Sequence, residues 1–453
     1  MRLRVTAVEL FERDVLLRMP FRFGVVTLTQ APQAFARVRI RVEDGREAEG
    51  AAAELLAPKW FDKDPALSNE DNFDQLRRSL AQARAAYLAH EARTAWGHAA
   101  PARGLVENFG PALLDRALLD ALCRALGVSF FEAIRRNLVG APAVDGIDLG
   151  AYFATLRPAA RIAARHTVGL LDPVTAVDCR ARVGDGLPET LEEVVARYGH
   201  RYFKLKVGGD ARVDVARLAA IAAVLDRIGQ PYHVTLDGNE QYEDFQGVAE
   251  LWAGMHAEPR LARLAASVLF VEQPVKRQKA LTAHVSGLER PVIIDESDDA
   301  MDAFPRARAL GYRGVSSKTC KGVYRALVNG ARCAAWNRKM GSDPIYFLSG
   351  EDLTQQAGLA LQQDTALVSL LGLTHVERNG HHYVNGMAGL PAAEQEAFLG
   401  AHPDLYDRSH GAVRVRIAGG MLDIGSLACA GFASGAMPDW VAMREMKLQK
   451  ESA

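Results

Sequence analysis

Hydrophobic and polar residues alternate along two stretches near the start of the chain, Leu3–Leu17 and Phe35–Val42. This alternation predicts strands that bury one face, and the acidic residues and glycine at 43–45 are typical of a turn between strands. Apolar residues then recur at helical spacing over about Asn69–Arg93 and Pro111–Asn137, among many alanines and arginines. The pattern therefore predicts an α+β module at the start of the chain.

Short β-rich runs alternate with long alanine-rich stretches after Gly140. This arrangement is typical of parallel strands joined by crossover helices. Eight such units predict an α/β fold, a closed (β/α)8 barrel of the TIM type. The runs predicted as strands are Gly146–Ala154, Tyr202–Val207, Tyr232–Asp237, Val268–Glu272, Pro291–Asp295, Gly314–Lys318, Ile345–Ser349 and Leu373–Glu377.

The chain is predicted to have three segments: the α+β module at 1–139, the barrel at 140–390 and a C-terminal segment at 391–453. The last segment is too short to fold alone. Its Ala412–Ile417 and Met421–Ile424 flank two glycines and predict a hairpin that returns to the first module.

The composition is that of an ordinary globular protein, with 49% hydrophobic and 24% charged residues, which excludes a disordered or collagen-like chain. A formal net charge of -1 supplies no positive field for a phosphate backbone, so we expect no nucleic-acid partner. Charged residues interrupt every apolar run near the start, and no run approaches the roughly 20 residues that span a bilayer. Five cysteines form no CxxC pair. These features predict a cytoplasmic protein with no membrane partner.

Five of the predicted strands end in a residue that an apolar strand would not use for packing: Lys206, Asp237, Glu272, Asp295 and Lys318. Successive members of this set are one βα unit apart. In a parallel barrel the carboxyl ends of the strands meet at one mouth. We therefore expect these five side chains to lie close together, although they are far apart in sequence.

The chemistry of this set points to a divalent cation and a proton transfer. Three carboxylates without a thiolate form an all-oxygen site that suits Mg²⁺, with Mn²⁺ as the alternative. Lys206 and Lys318 belong to the second and sixth strands, so they approach a bound molecule from opposite sides, which suits stereochemical inversion. A neighbouring cation, the metal or Lys204, is expected to lower the pKa of such a lysine toward a useful range. The combination suits removal of a proton next to a carboxylate through a stabilised enediolate.

With these motifs in place, the chain resembles the enolase superfamily, in its muconate-lactonizing-enzyme and mandelate-racemase branch. The N-terminal module, with Pro20-Phe21-Arg22-Phe23-Gly24, resembles the capping domain of that family, and a seventh strand without histidine fits the two-lysine branch. The motifs that carry the resemblance are Lys204-Leu205-Lys206, Asp237-Gly238-Asn239, Glu272-Gln273-Pro274, Asp295-Glu296-Ser297 and Ser317-Lys318.

The resemblance implies a role for each of these positions. Asp237, Glu272 and Asp295 are predicted to bind magnesium, and Lys206 and Lys318 to be the acid/base pair. The residues predicted to bind substrate are Lys204, Asn239, Phe21, Phe23 and Glu351. An alternative role for the aromatic residues, together with Trp60, is to hold the capping module in place.

The leading hypothesis from the sequence is a racemase or epimerase of a small carboxylate, assembled as a homo-oligomer. The alternatives are β-elimination, as in a dehydratase or an o-succinylbenzoate synthase, cycloisomerisation, and a metal-containing barrel that binds a carboxylate without turnover. Two features depart from the family pattern. Lys321 replaces part of a Gly-Gly pair after the sixth strand, and the eighth unit holds a polar group without an assigned role. That group is His375, Glu377, Arg378, His381 and His382, of which the last two are interpreted as a solvated loop.

Overall fold

The protein is described by a computed structural model over residues 1–99, 102–341 and 344–447. The last six residues of the predicted C-terminal segment, 448–453, lie outside the described residues. The strands are β1 (Leu3–Phe23), β2 (Val26–Val42), β3 (Glu47–Leu55), β4 (Arg161–Val168), β5 (Tyr202–Lys206), β6 (His233–Asp237), β7 (Val268–Glu272), β8 (Val292–Ile294), β9 (Gly314–Ser317), β10 (Phe347–Gly350), β11 (His375–Arg378), β12 (Tyr406–Ser409), β13 (Ala412–Val415), β14 (Met421–Asp423) and β15 (Arg444–Glu445).

The helices cover the cap and surround the barrel. They are α1 (Asn69–Ala89), α2 (Ala95–His98), α3 (Leu105–Leu126), α4 (Phe130–Arg135), α5 (Leu149–Thr155), α6 (Leu191–Tyr198), α7 (Ala211–Leu225), α8 (Phe245–Ala257), α9 (Ala262–Ala266), α10 (Arg277–Ala280), α11 (Ala303–Ala309), α12 (Val323–Met340), α13 (Leu359–Leu370), α14 (Gly380–Tyr383) and α15 (Ala392–Ala401). No helix within the described ranges combines the length and apolar character that a bilayer crossing requires.

Eight parallel strands, β4 to β11, close into the predicted barrel, because β11 pairs with β4 as well as with β10. Seven of the predicted strands match strands of this barrel. The first does not: Gly146–Ala154 contains helix α5, whose N-terminus is capped by the side chain of Asp148. The first barrel strand is β4, whose inward positions hold Arg165 and Thr167. Its polar interior face explains why the apolar pattern missed it.

The cap is built around an antiparallel sheet in the order β15-β1-β2-β3. Long strands β1 and β2 pair over most of their length, and helices α1 and α3 pack against the sheet. Gly50 on β3 permits the close approach of α3, because a Cβ there would lie 2.1 Å from the backbone nitrogen of Ala121.

The C-terminal segment contacts both the barrel and the cap. The hairpin predicted from Ala412–Ile417 and Met421–Ile424 is wrong: β13 pairs with β12, and β14 pairs antiparallel with the start of β4. The intervening glycines, Gly419 and Gly420, have φ of 57° and 72°, a left-handed turn that redirects the chain toward the barrel. The segment then reaches the cap, where β15 pairs with β1.

Candidate active site

The second, third and fourth barrel strands end in three neighbouring charged residues. Lys206, Asp237 and Glu272 are the last residues of β5, β6 and β7, and the register sets Lys206 opposite Asp237 and Asp237 opposite Glu272. The Nζ of Lys206 donates to Oδ2 of Asp237 over 2.5 Å. All three side chains are buried, because inward-facing residues fill the interior of an eight-stranded barrel.

Asp295 and Lys318, immediately after β8 and β9, form a second ion pair. The Nζ of Lys318 donates to Oδ2 of Asp295 over 2.6 Å, and the hydroxyl of Ser316 donates to the other carboxylate oxygen. Lys321 lies behind this pair, with its Nζ 3.5 Å from Oδ1 of Asp295 and 3.1 Å from Oδ2 of Asp298. Lys321, the cation that departs from the family pattern, therefore contacts Asp295 from its outer side.

Lys204 and Lys206 are alternate residues of β5, so both side chains point into the barrel. Lys204 lies one layer deeper than Lys206. The structure places Lys204 and Glu351, both predicted to bind substrate, in contact with each other. The Nζ of Lys204 contacts four carboxylates, at 2.9 Å in Asp237, 2.7 Å in Glu272, 2.7 Å in Glu351 and 2.9 Å in Glu377. Lys204 therefore links the predicted metal ligands to the interior of the barrel.

These ion pairs determine the protonation of the buried groups. Burial favours the neutral form of Asp237, but Lys204 and Lys206 outweigh burial and hold the pKa of Asp237 below its ordinary value. Burial opposes the charge of Lys318, yet the carboxylate of Asp295 raises the pKa of Lys318 above its ordinary value. Lys204 lowers the pKa of Lys318, as predicted for a neighbouring cation, but the nearer carboxylate of Asp295 has the larger effect.

Glu272 is the carboxylate that the protein compensates least. Its Oε1 has no hydrogen-bond partner among the residues that the structure describes, and burial, followed by the charges of Asp237 and Glu351, raises the pKa of Glu272 well above its ordinary value. The surrounding ring holds six carboxylates and five cationic groups: Asp237, Glu272, Asp295, Asp298, Glu351 and Glu377 with Lys204, Lys206, Lys318, Lys321 and Arg165. A divalent cation would supply the missing positive charge, and carboxylate oxygens suit Mg²⁺. The predicted ligand set fits a magnesium ion.

Asn239 fixes the orientation of Asp237. It lies two residues after that carboxylate in a left-handed backbone conformation, with φ of 40°, and its backbone N–H donates to Oδ1 of Asp237 over 2.8 Å. Its side-chain nitrogen lies 3.3 Å from the carboxylate of Glu296, while its Oδ1 has no partner in residues 1–99, 102–341 and 344–447. The tight turn after β6 therefore holds one predicted ligand and leaves one buried amide oxygen free.

The hairpin between β1 and β2 covers the ends of the strands. Phe21 and Phe23 are buried, and the Phe21 ring stacks on Tyr383 with centroids 4.2 Å apart. At the tip, Gly24 has φ of 49°, and a Cβ there would lie 3.6 Å from the backbone oxygen of Asn239. These contacts support the role of holding the cap in place, whereas contact between the two phenylalanines and substrate stays a prediction.

A second cap loop, at residues 60–63, covers Lys318. The Nζ of Lys318 lies 4.5 Å from the ring centroid of Trp60. Arg277 donates to the backbone oxygen of Trp60 over 2.9 Å, and Lys63 donates to the backbone oxygen of Asn239 over 2.8 Å. The mouth is thereby enclosed, and no more than 5% of Lys206 is exposed.

The alternation of β11 separates the polar residues that the sequence leaves unassigned. Glu377 points into the barrel toward Lys204, which makes it a site residue that the sequence analysis missed. Its position at a strand end, shared with the predicted ligands, was the available signal. Arg378 points outward to helix α13, and His381 and His382 lie on α14. The solvated-loop interpretation is wrong for His382, which is 3% exposed.

Comparison with known proteins shows which proteins this chain is similar to. The family model for enolase C-terminal domain-like proteins matches residues 186–386. A hydrophobic dipeptide epimerase from Citrifermentans bemidjiense is 28% identical over 235 residues, which is 50% of this chain and 52% of that protein. The match thus spans about half the length of that curated relative.

Solved structures share the fold along almost the whole chain. A dipeptide epimerase from Cytophaga hutchinsonii, complexed with Mg and the dipeptide D-Ala-L-Val, aligns with a TM-score of 0.61 at 14% identity, covering 98% of this chain and 99% of that one. A muconate lactonizing enzyme from Mucobacterium Smegmatis, complexed with muconolactone, aligns with a TM-score of 0.59 at 18% identity, covering 98% and 100%. Residues 186–386 therefore match the family model for enolase C-terminal domain-like proteins, in agreement with the resemblance to the enolase superfamily predicted from the sequence.

Proposed function

We propose that this protein is a Mg²⁺-dependent racemase or epimerase that removes the α-proton of a small carboxylate and returns a proton to the opposite face. One observation carries the proposal: two buried lysines, Lys206 and Lys318, lie four strands apart in an eight-stranded barrel, with three carboxylates at the strand ends between them. Amines in this arrangement address opposite faces of one bound molecule. Binding without turnover would need neither amine.

Each residue has a defined role in this proposal. Asp237, Glu272 and Asp295 would hold the magnesium ion, which supplies the positive charge that stabilises an enediolate. Lys206 and Lys318 are the proton donor and acceptor, and they exchange these roles with the configuration of the substrate.

The remaining residues hold this arrangement together. Lys204 orients two of the metal ligands through its contacts with Asp237 and Glu272. The indole of Trp60 covers Lys318 and excludes water from that amine.

The related proteins favour epimerisation over the alternatives. The curated relative is a hydrophobic dipeptide epimerase, and one structural neighbour is a dipeptide epimerase with a bound dipeptide. Dipeptides are therefore the first substrates to test. Cycloisomerisation is the second candidate, because another neighbour is a muconate lactonizing enzyme with bound muconolactone. β-Elimination and carboxylate binding without turnover remain as outcomes of the same test.

The proposal also keeps three predictions from the sequence. These are a cytoplasmic location, assembly into a homo-oligomer without nucleic acid, and a cap formed by residues 1–139 together with the C-terminal segment. The pairing of β15 with β1 supports the last of these.

The test is uptake of solvent deuterium at the α-carbon. Wild-type protein with Mg²⁺ in D₂O is incubated with L- and D-isomers of dipeptides and N-acyl amino acids, and uptake is followed by mass spectrometry and proton NMR. We expect Lys206→Ala to lose exchange from one stereoisomer and Lys318→Ala from the other, each by at least about 100-fold, because each amine serves one face. Both variants should lose racemisation.

Lys339→Ala, at an exposed position of α12, is the matched control and should exchange like the wild type. A new product formed without inversion would favour β-elimination or cycloisomerisation. Saturable binding without exchange in the wild type would refute an enzymatic function. Unchanged exchange in both lysine variants would refute the assignment of the two bases.

A further inference from the structure

Three histidines gather outside the barrel wall, on the far side of β4 from the candidate active site. His166 lies on β4 between Arg165 and Thr167, and those two neighbours point into the barrel, so His166 points outward. His200 immediately precedes β5, and His381 lies on α14 after β11. One ring nitrogen from each histidine lies within 4.8 Å of the other two.

Four ring nitrogens of this cluster lack a hydrogen-bond partner among the described residues. Nδ1 of His200 donates to the backbone oxygen of Ala164 over 2.9 Å, which leaves its Nε2 as an unprotonated acceptor with no partner in the described part of the chain. Within the described ranges, Nδ1 of His166 and both ring nitrogens of His381 also have no partner. His166 and His200 are each 1% exposed. Several unpaired polar atoms that converge in a buried space are costly unless a ligand satisfies them.

The surroundings keep the imidazoles neutral. Burial lowers the pKa of His200 to about 4, and it lowers the pKa values of His166 and His381 well below their ordinary range. A neutral imidazole has a lone pair that can bind a metal. The hydrogen bond from His200 to a backbone carbonyl is also the outer-shell contact that typically fixes a metal-binding histidine.

The nearby positive charges are compensated or peripheral. Arg18 is paired with Asp185 at 2.5 Å, and Arg378 with Asp364 at 3.1 Å. Arg414 lines the small cavity of about 20 Å³ that His381 also lines. This volume is enough for one water molecule beside His381, the member of the cluster that lines the cavity.

We propose that His166, His200 and His381 form a zinc site, separate from the magnesium site in the barrel mouth. Three imidazoles and a water are a frequent ligand set for zinc, whereas Mg²⁺ prefers oxygen ligands. Zinc–nitrogen bonds of about 2.0–2.1 Å place tetrahedral ligand atoms about 3.4 Å apart. The ring nitrogens lie within 4.8 Å of one another, so side-chain rotations that bring them closer complete the site. The ion joins β4 to the segment after β11, across the seam where the barrel closes.

The test measures metal binding directly. Untagged full-length protein is stripped of metal, held in millimolar Mg²⁺ to occupy the oxygen site, and titrated with Zn²⁺ by calorimetry and with Co²⁺ by visible absorption. We expect one equivalent of Zn²⁺, the intense visible bands of four-coordinate Co²⁺, and a zinc-dependent rise in Tm. His200→Gln and His381→Gln should each weaken binding at least tenfold and remove the Co²⁺ bands.

Two control variants make the result specific. His284→Gln removes an exposed histidine and should bind zinc like the wild type, and Asp237→Asn alters the barrel mouth and should also retain the Co²⁺ bands. Circular dichroism verifies the fold, and the half-buried His381 offers the milder substitution if His200→Gln does not fold. Absence of zinc binding by the wild type in Mg²⁺, or equal binding by folded His381→Gln, would overturn the proposal without affecting the proposed catalytic function.

Discussion

At the scale of single residues, the site depends on how each buried charge is compensated. Glu272 is fully buried with an unpaired oxygen, and isolated buried charges cost several kcal/mol, of order 3–5 when a partner is missing. Asp237 and Asp295 are better compensated, since lysines donate to both. A bound magnesium ion would therefore have its largest stabilising effect at Glu272.

We expect Glu272→Gln to remove most of the Mg²⁺-induced rise in Tm. The neutral amide keeps the shape of the side chain but lacks the ligand charge. In a chelator the variant should be at least as stable as the wild type, because it no longer buries an uncompensated carboxylate. Thermal unfolding with and without Mg²⁺ measures both effects, and Glu43→Gln in the exposed turn after β2 is the control.

The same variant should change the pH dependence of stability in a chelator. The pKa of Glu272 is raised in the folded protein, so the folded protein holds this proton more tightly than the unfolded chain does. The stability that the protonated carboxyl group contributes is fully present below the ordinary pKa of 4.5 and is lost as the pH rises through the folded pKa. The wild type should therefore lose stability relative to Glu272→Gln as the pH increases. Urea unfolding over about pH 4–8 measures the difference. A difference that stays constant with pH would contradict this account.

Many of the site residues can be predicted from the sequence. The contacts between them depend on how side chains are layered inside the barrel, which the sequence does not specify. Lys206, Asp237 and Glu272 are predictable because a charged residue at the end of an apolar strand has few other reasons to be there. The role of Glu377 was harder to predict, since histidines and arginine surround it in sequence and its position at the end of a predicted strand was the one signal that separated it from them. The contacts of Lys204 with four carboxylates require the barrel register, which the sequence does not specify.

At the scale of elements, two cap segments hold the mouth closed. The loop at 60–63 is attached through Lys63, whose Nζ contacts Glu240 at 2.5 Å, the backbone oxygen of Asn239 at 2.8 Å and Glu296 at 3.1 Å. The apolar pattern could not predict this attachment, because it involves polar residues from separate βα loops. The apolar pattern also failed to predict strand β4, because the inward face of that strand is polar.

We expect Lys63→Met to loosen this loop. The substitution keeps an apolar stem but leaves Glu296 without its ammonium partner, which should lower the free energy of unfolding by about 1–3 kcal/mol. Limited proteolysis should cut the chain near the loop several times faster, and substrate KM should rise more than kcat falls. Lys339→Met, on the exposed end of α12, is the matched control. Equal cleavage of both variants would show that Lys63 does not hold the loop.

At the scale of the whole molecule, the two ends of the chain meet in one sheet. Strand β15 pairs with β1, the backbone of Met446 donates to Leu10 over 2.9 Å, and Arg444 contacts Asp14 at 2.6 Å. A two-residue strand is too short for any periodicity, so the sequence predicts the return to the cap but not its register. The barrel and cap sheet, by contrast, follow from long repeated patterns.

We expect a chain that ends after Met443 to be less stable by about 2–4 kcal/mol, because it loses the buried side chain of Met446 and the contacts of β15. Chemical unfolding measures the loss. A chain that ends after Lys447 keeps every contact named above and is the control. If both truncated chains were equally stable, β15 would not fasten the cap.

The two faces of strand β4 contact two different parts of the molecule. Arg165 and Thr167 serve the charged interior, and His166 between them serves the histidine cluster outside. Inserting or deleting a single residue there would exchange the two faces, because side chains alternate strictly along a strand. The interior charge balance and the outer histidine cluster would then be lost together. This strand should therefore tolerate a substitution on either face far better than an insertion or a deletion.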